Sequence, residues 1–376
     1  MDGKTGNSDA EGFDTVVIGG GQAGLSMGYQ LAKVGRRFVI LDASERIGDA
    51  WRDRWDSLRL FTPARLDGLE GMPFPAKGDT FISKDQMADY LESYAARFDL
   101  PVRSGVRVDG LSKHGDRFVV TAGDRTFEAD NVVVAMASSQ VPHLPAFAKD
   151  LDTQIVQLHS KDYRNPSQLR EGAALVVGAG NSGADIALEI TQHHPTWMAG
   201  EESGHIPFHI EGFVARHVLL RLVRFVGHRV LTVRTPIGRK ARPKMLTAAA
   251  PLIRVKPKDL IEAGIRRVPR IAGIRDGLPV TEDGQALDVA NVVWCTGFRP
   301  GFSWIHLPII GDREEPEHER GVVPKEPGLY FVGLHFLYAM TSETVNGIAR
   351  DTAYIAKQIA SSRSADRAEI SVAAGA

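Results

Sequence analysis

The sequence predicts an α/β fold in which one glycine-rich strand–turn–helix unit occurs twice. The first unit begins with an apolar run at residues 13–18, typical of a buried strand, and continues into a glycine-rich segment at 19–24. The second begins with the apolar run 173–177, and segment 178–183 repeats the same glycine spacing. This duplication predicts two Rossmann-like domains, each built on a mainly parallel sheet.

The first unit has the residue pattern of a dinucleotide-binding turn. Gly19 is expected to make the tight turn, Gly21 to let the backbone approach a pyrophosphate, and Gly24 to let helix and strand pack closely. The helix begins near Gln22, and its N-terminus offers N–H groups and a positive dipole end to the phosphates. Asp42 ends the next strand, where its carboxylate would accept hydrogen bonds from a ribose.

The second unit carries the same parts and predicts a second bound dinucleotide. Its candidate nucleotide-binding residues are Gly178, Gly180, Asn181, Ser182 and Gly183. Glu201 follows this turn at the same offset that separates Asp42 from the first turn. Two such units in one chain predict that two dinucleotides are held at once.

The remaining elements follow from periodicity and from Gly and Pro positions. Pro and Gly residues between 63 and 78 predict an irregular loop, and a helix is expected over 83–98. Short β runs at 102–108, 117–121, 126–129 and 132–135 predict an antiparallel excursion inserted in the first domain. A late strand at 328–333 leads into a helix that Thr341 or Ser342 would cap and that would reach about Ala360.

The late strand is most simply added to the first sheet, which makes the first domain discontinuous. The predicted first domain covers 13–150 and 301–360, and the second covers 151–300. Residues 1–12 are polar and glycine-rich and predict a disordered tail, and 361–376 predict a loose C-terminal tail.

Composition excludes several classes of function. A net charge of −1 gives no reason to expect nucleic acid, and the single cysteine, Cys295, excludes a disulfide or a redox cysteine pair. No apolar run is long enough for a membrane span or a signal peptide, so a cytoplasmic protein is expected. Segment 214–275 carries 16 Lys and Arg against two acids, which leaves three alternatives: a solvated surface, attraction for cofactor phosphates, or contact with a membrane surface.

The chain resembles the class B flavoprotein monooxygenases, which include the flavin-containing monooxygenases, the Baeyer–Villiger enzymes and the plant YUCCA enzymes. The resemblance is carried by both glycine turns, by Trp51 and Arg52, and by segments 56–63, 157–163 and 295–300. The family signature has Phe and Gly before the histidine that corresponds to His159, where this chain has Thr153 and Ile155. The asparagine that flavin-containing monooxygenases carry is absent from 58–63.

The resemblance implies FAD at the first turn and a nicotinamide coenzyme, NADPH, at the second. It further implies candidate residues near the flavin, namely Trp51, Arg52, Val108 and Gly333, and candidate catalytic residues His159, Arg59 and Thr62. Instead of acting in catalysis, His159 could hydrogen-bond a loop where the domains join. Instead of contacting the flavin, Trp51 and Arg52 could serve packing alone. Glu201 argues for NADH because it would repel a 2′-phosphate, whereas Arg216 could contact one.

The function implied by the resemblance is insertion of one oxygen atom into a small lipophilic substrate through a C4a-(hydro)peroxyflavin. Such an adduct needs a dry pocket. The apolar residues expected to build it are Trp51, Trp55, Phe61, Phe336, Leu337 and Met340. The alternative is an NAD(P)H oxidase, or a flavin reductase or electron carrier that serves a partner protein; the oligomeric state is left open.

Overall fold

The computed structural model has two large sheets built mainly from parallel strands, with flanking helices, as the repeated apolar runs predicted. The structure describes residues 10–202, 204–247, 250–311 and 314–373. The strands are β1 Glu11–Ile18, β2 Phe38–Leu41, β3 Arg59–Pro63, β4 Phe81–Ser83, β5 Val102–Arg103, β6 Gly110–His114, β7 Arg117–Ala122, β8 Arg125–Val134, β9 Val141–Pro142, β10 Val156–His159, β11 Ala174–Val177, β12 Thr196–Ala199, β13 Arg266–Val268, β14 Ile271–Arg275, β15 Leu278–Thr281, β16 Asn291–Trp294, β17 Phe298–Arg299 and β18 Leu329–Phe331. The helices are α1 Gln22–Lys33, α2 Asp49–Arg52, α3 Lys84–Arg97, α4 Asn181–Ile190, α5 Leu220–Phe225, α6 Pro236–Thr247, α7 Pro257–Glu262 and α8 Ile348–Ala373. The π-helical turns Ala215–Leu219 and Val226–Val230 flank α5.

The first sheet has the strand order β5-β2-β1-β8-β7-β6, with β18 paired to β8. Strand β1 is parallel to both β2 and β8, while β6, β7 and β8 pair antiparallel. This confirms the predicted antiparallel excursion. The late strand β18 joins the same sheet, parallel to β8, as predicted. The division into domains near residues 150 and 300 stays a prediction.

The second sheet has the order β10-β16-β11-β12-β13, and all its pairs are parallel. The two connections between the sheets pair with each other, because β9 and β17 form an antiparallel ribbon. Within this ribbon the Gln140 amide donates to Arg299 O at 3.1 Å and the His143 amide donates to Gly297 O at 3.0 Å. The chain therefore crosses between the sheets twice at one place.

Helix α1 is held between the first sheet and the C-terminal helix. Leu25, Met27 and Leu31 are completely buried, and their spacing places Leu25 roughly opposite the other two, so α1 is buried on more than one side. Ser26 Oγ and Thr352 Oγ1 lie 3.0 Å apart in a buried hydrogen bond that joins α1 to α8. This packing fixes the N-terminus of α1 at the carboxyl edge of the sheet.

Several predicted boundaries were wrong. Helix α8 begins at Ile348, not at Thr341 or Ser342, because the Ser342 hydroxyl instead accepts from the Tyr338 and Ala339 amides, both at 3.0 Å, in a turn. The same helix continues to Ala373, past the predicted end at Ala360. Strand β6 was missed, and β8 is one strand where two were predicted. Strand β1 begins at Glu11, two residues earlier than predicted, and the rest of the predicted N-terminal tail lies mainly outside the described residues.

Candidate functional site

The first glycine turn has the geometry that a bound pyrophosphate requires. Gly19 has φ +109°, a conformation that residues with a side chain rarely adopt. A Cβ on Gly24 would overlap the carbonyl oxygen of Gly19, so only glycine lets α1 pack this closely. At Gly21, the N-cap of α1, a Cβ would meet no atom within 4 Å. Open space at a helix N-terminus that lacks a capping side chain fits an anion bound by backbone N–H groups.

Asp42 holds the first turn against the end of β2. Its Oδ2 accepts from the Gly20 amide at 2.5 Å and its Oδ1 accepts from the Ser44 amide at 2.7 Å. A carboxylate has about four lone-pair sites, so these bonds leave capacity for a ribose hydroxyl. The predicted ribose contact stays a prediction. Val108 is half-buried against the core on the other face of the first sheet.

The second turn repeats the first in detail. Gly178 has φ +117°, a Cβ on Gly183 would overlap the Gly178 carbonyl oxygen, and a Cβ on Gly180 would meet nothing within 4 Å. Gly180 is the N-cap of α4, and Ser182 is half-buried in the first turn of that helix. The Asn181 side chain is engaged on both sides, since Oδ1 accepts from the Ile253 amide at 2.9 Å and Nδ2 donates to Pro251 O at 3.0 Å. Both turns therefore fit a dinucleotide.

Glu201 lies at the carboxyl end of the second sheet, but it is not alone there. Arg270 Nη2 lies 2.8 Å from Glu201 Oε2, and Arg267 donates to Gly200 O at 2.7 Å. The negative charge that argued for NADH is thus paired with a guanidinium. Both side chains of the ion pair are more than half exposed, so the pair can open to a ligand. Arg267 and Arg270 are cations at this edge that the sequence reasoning missed. The Arg216 guanidinium lies 5.6 Å from the centre of the Phe81 ring, and its contact with a phosphate stays a prediction.

Arg52 is occupied by protein partners. Its guanidinium donates to Ile47 O at 2.7 Å, to Asp49 Oδ1 at 3.1 Å and to Asp89 Oδ1 at 2.9 Å. Trp51 packs against the core beneath α1 and α3. This geometry fits the packing alternative for both residues, and their contact with a cofactor stays a prediction.

Gly333 lies directly against the first turn of α1. It has φ +78°, and a Cβ there would lie 2.9 Å from the Ala23 Cβ. The loop that follows leads into α8, and two residues before that helix Asn346 has a buried Oδ1 without a hydrogen-bond partner among the described residues. A buried acceptor of this kind is expected to find a partner. Asn346 is therefore a candidate ligand-binding residue, and its position in an irregular loop gave no sequence signal.

Thr62 points at a buried carboxyl group that the sequence did not single out. The Thr62 hydroxyl donates a short hydrogen bond to Asp67 Oδ1, and Asp67 Oδ2 has no partner among the described residues. Asp67 is completely buried, and this burial raises the pKa of its carboxyl to about 7. The Arg59 side chain is exposed, and its carbonyl oxygen accepts from Arg254. A catalytic role for Thr62 or Arg59 stays a prediction.

His159 ties β10 to the linker that follows β16. Its Nδ1 accepts from the Lys161 amide at 3.1 Å, so Nε2 carries the hydrogen and donates to Gly297 O at 3.1 Å. The ring meets Phe298 edge-on at 4.9 Å between centroids, and burial lowers the pKa of the imidazole below its ordinary value. The neutral ring thus fits the loop-binding alternative, and a catalytic role for His159 stays a prediction.

Arg254 connects the two glycine units, and the sequence reasoning missed it. Its Nη2 donates to the carbonyl oxygens of Arg59 at 2.7 Å and Leu60 at 2.9 Å on β3. Its Nη1 lies 3.6 Å from Asp185 on α4, and its guanidinium lies 5.3 Å from the centre of the Phe61 ring. The sequence signal is weak, because an arginine between apolar residues predicts a half-buried position without naming its partner.

The apolar residues expected to build one dry pocket do not come together. Trp51 packs on the core below α1, Trp55 is buried in the core of the second sheet, and Phe61 belongs to a small cluster with Phe81. Leu337 is buried on the opposite face of the first sheet. That prediction was wrong, since these residues serve separate cores. Cys295 is half-buried, and burial raises the pKa of its thiol to about 12.

Comparisons with known proteins agree with this geometry. The model of the pyridine nucleotide-disulphide oxidoreductase family matches residues 16–201. A protein of Geobacillus kaustophilus named uncharacterized oxidoreductase CzcO-like is 37% identical over 92% of this chain and 98% of its own. The indole-3-pyruvate monooxygenase YUCCA1 of Oryza sativa is 28% identical over 95% of this chain and 94% of its own. The solved flavin-containing monooxygenase from Stenotrophomonas maltophilia has a TM-score of 0.71 and 29% identity, and the match covers 93% of this chain and 99% of that one.

These similarities span both glycine turns and nearly the whole length of the compared proteins. They support both predicted cofactors, FAD and NADPH, while the assignment of FAD to the first turn and NADPH to the second stays a prediction. Among the described residues, no helix has the length and apolar character to cross a membrane. The chain is a flavin-dependent oxidoreductase and belongs to the class B flavoprotein monooxygenase superfamily, among its CzcO-like members.

Proposed function

We propose that this chain is an FAD- and NADPH-dependent monooxygenase that inserts one oxygen atom into a small lipophilic substrate. The observation that carries the proposal is the pair of open N-caps, Gly21 and Gly180, in one chain. Each offers the space and the backbone geometry that a pyrophosphate needs. One polypeptide can therefore take hydride from NADPH and use it at its own flavin.

The names of relatives support oxygenation and leave the substrate open. The rice relative is an indole-3-pyruvate monooxygenase, and the Stenotrophomonas structure is a flavin-containing monooxygenase. The Geobacillus relative, at 37% identity, is named only as an oxidoreductase. Oxygen transfer is thus proposed from the similarity to these named monooxygenases. The substrate class is proposed from the family resemblance of the sequence motifs.

The proposed roles of the protein's own residues are binding and positioning. When bound, FAD would accept the hydride and activate oxygen. The Gly19–Gly24 turn would hold its pyrophosphate, and Gly333 leaves room beside that turn because it has no side chain. His159 and Arg254 fix the second unit against the first, through the linker after β16 and through β3. Their role is to hold the two cofactor sites in one relative position.

An NADPH oxidase or a flavin reductase is the second candidate, and one observation favours it. The apolar residues expected to shield oxygen chemistry are distributed over separate cores, so they do not form one dry pocket. Access of water to a reduced, oxygenated flavin site releases hydrogen peroxide. In that case the chain would consume NADPH without transferring oxygen.

Parallel measurement of coenzyme use, peroxide and product separates the two candidates. The FAD-loaded protein is mixed with NADPH, oxygen and a panel of sulfides, amines and ketones, and flavin absorbance is followed by stopped flow. Monooxygenation predicts a transient oxygenated flavin spectrum and less peroxide than NADPH consumed when a substrate is present. Peroxide equal to NADPH with every substrate, and no transient, would contradict the proposal.

Gly180→Val provides the matched control. A side chain there should block NADPH while leaving both turns folded, because a Cβ on Gly180 would meet no protein atom within 4 Å. Chemically reduced Gly180→Val should therefore show the same oxygen reaction as the wild type, although NADPH no longer reduces it. A loss of both steps in this variant would mean that the second turn has another role.

A further inference from the structure

Segment 213–247 carries an apolar face that the fold leaves uncovered. Twelve large apolar side chains are exposed among the described residues, and seven of them lie between 213 and 237. They include Phe213 at 78%, Val218 at 57%, Leu222 at 55% and Phe225 at 58% exposure. Single exposed apolar residues are normal, but a contiguous group marks an interaction surface. We call this group, from Phe213 to Ile237, the apolar face.

The apolar face lies on one continuous helical run. The π turn Ala215–Leu219, helix α5 and the π turn Val226–Val230 follow one another without a break. Ala215, Leu220 and Gly227 are buried, so they form the inner side of this run. Apolar residues therefore occur on the inner side of this run and also on its exposed side, where they alternate with arginines.

Positive charge surrounds the apolar face. Residues 213–247 include nine Lys and Arg and no Asp or Glu, although the whole chain has a net charge of −1. Arg221, Arg224 and Arg229 are exposed beside Leu222 and Phe225. This surface therefore combines apolar side chains with a local excess of cations.

The inner side of the run is fixed to the loop that follows Gly333. The Val233 amide donates to Tyr338 O at 2.9 Å, and the Met340 amide donates to Leu231 O at 3.1 Å. Arg350 donates to His228 O at 2.6 Å. The segment is thus held to the folded protein from within, and only its outer face is left without a covering element.

We propose that the apolar face docks on the surface of an anionic lipid bilayer. An amphipathic helix with Phe, Leu and Val between arginines suits the boundary between headgroups and acyl chains, where the cations meet lipid phosphates. A second copy of the chain is a poorer occupant, because it would place the exposed Arg221, Arg224 and Arg229 opposite the same arginines, and segment 213–247 has no acid to pair with them. Charged residues are also depleted from the cores of protein interfaces.

Vesicle co-sedimentation tests the proposal with the full-length, FAD-loaded protein. It should sediment with vesicles of phosphatidylglycerol and phosphatidylcholine, stay in solution with phosphatidylcholine alone, and detach as salt is raised. Arg221→Glu with Arg224→Glu should lower partitioning by roughly thirtyfold or more, since each cation at an anionic surface contributes about fivefold. Leu222→Ser with Phe225→Ser should lower it by at least about tenfold.

Helix α7 supplies matched controls. Ile261 is 68% exposed and Lys258 is also exposed, so Ile261→Ser and Lys258→Glu change the same residue types outside the apolar face. These variants should bind vesicles like the wild type, and all variants should retain flavin absorbance and melting temperature. Equal loss in the α7 variants, or no preference for phosphatidylglycerol, would overturn the proposal. If the wild type does not bind vesicles but is a dimer in light scattering, and the variants of the apolar face are monomers, the face would be assigned to a second copy instead.

Discussion

The burial of Asp67 leads to a measurable prediction about the pH dependence of stability. Its side chain is completely buried, and its pKa rises from the ordinary 3.8 to about 7. Burial is the larger cause, while the hydrogen bond from Thr62 opposes it. A carboxylate without a counter-ion is disfavoured in such surroundings, so the protonated form is favoured near neutral pH.

The effect on stability follows from the two pKa values. Each pKa unit corresponds to about 1.4 kcal/mol, so the shift is equivalent to about 4 kcal/mol. Because the pKa of the folded state lies above that of the unfolded state, this contribution is fully present below about pH 4. It is lost progressively as the pH rises through about 7. Between about pH 5 and pH 8 the free energy of unfolding should fall by about 3 kcal/mol from this group alone.

Asp67→Asn removes the proton and keeps the shape of the neutral acid. Denaturant unfolding of the FAD-saturated proteins at about pH 5 and pH 8 should show that the variant loses about 3 kcal/mol less than the wild type across that interval. Thr62→Val is the companion variant, because removal of the donor should raise the pKa of Asp67 further and shift the loss to higher pH. Parallel pH profiles for wild type and Asp67→Asn would refute a buried neutral carboxyl.

Three further predictions concern the cofactor sites. Gly21→Val should leave the apoprotein as stable as the wild type and abolish FAD retention, whereas Gly24→Ala should lower the melting temperature itself, because only the second Cβ overlaps backbone. Arg270→Ala should shift the kcat/KM ratio from NADPH toward NADH by roughly tenfold, since it removes one charged contact and frees Glu201. Arg254→Met should slow flavin reduction by NADPH while FAD content stays unchanged, because β3 loses its bond to α4.

Each of these predictions has a matched control. Gly180→Val should lose NADPH and keep FAD, the reverse of Gly21→Val; loss of FAD in both would mean that neither turn is specific. Arg275→Ala removes the arginine at the end of β14, the strand that directly follows Arg270, and an equal change in coenzyme preference would count against Arg270. Arg254→Lys should recover only part of the rate, because lysine lacks the fork that donates to two carbonyl groups. Full recovery would show that only the charge matters.

The sequence was sufficient for the fold and for both turns because glycine spacing reports backbone requirements directly. Gly19 and Gly178 do adopt left-handed φ angles, and Gly24 and Gly183 do make the close approaches that were predicted. Strands β2 and β11 beside these turns are short, apolar and fully buried, so their apolar runs identified them as well. In these segments the local pattern and the tertiary structure agree.

The sequence failed where long-range partners decide the outcome. Ser342 was predicted as a helix cap, but its hydroxyl binds the preceding turn and α8 starts later. The predicted pocket failed for the same reason, because an apolar residue type predicts burial without naming the core. Arg254 was missed because its partners are carbonyl groups far away in the sequence. Asp67 was missed because it lies in an irregular loop, where the sequence does not predict its burial.

The contacts between the two units explain how the chain can position two cofactors without a single rigid core. The antiparallel ribbon of β9 and β17 closes both crossings at one place, and His159 fastens that ribbon to β10 through Gly297. Arg254 makes a second, separate connection from α4 to β3. Two separate fastenings restrict rotation about either one, whereas one fastening would leave a hinge. Because α4 carries the second turn, these contacts set the position of the proposed NADPH site relative to the first sheet.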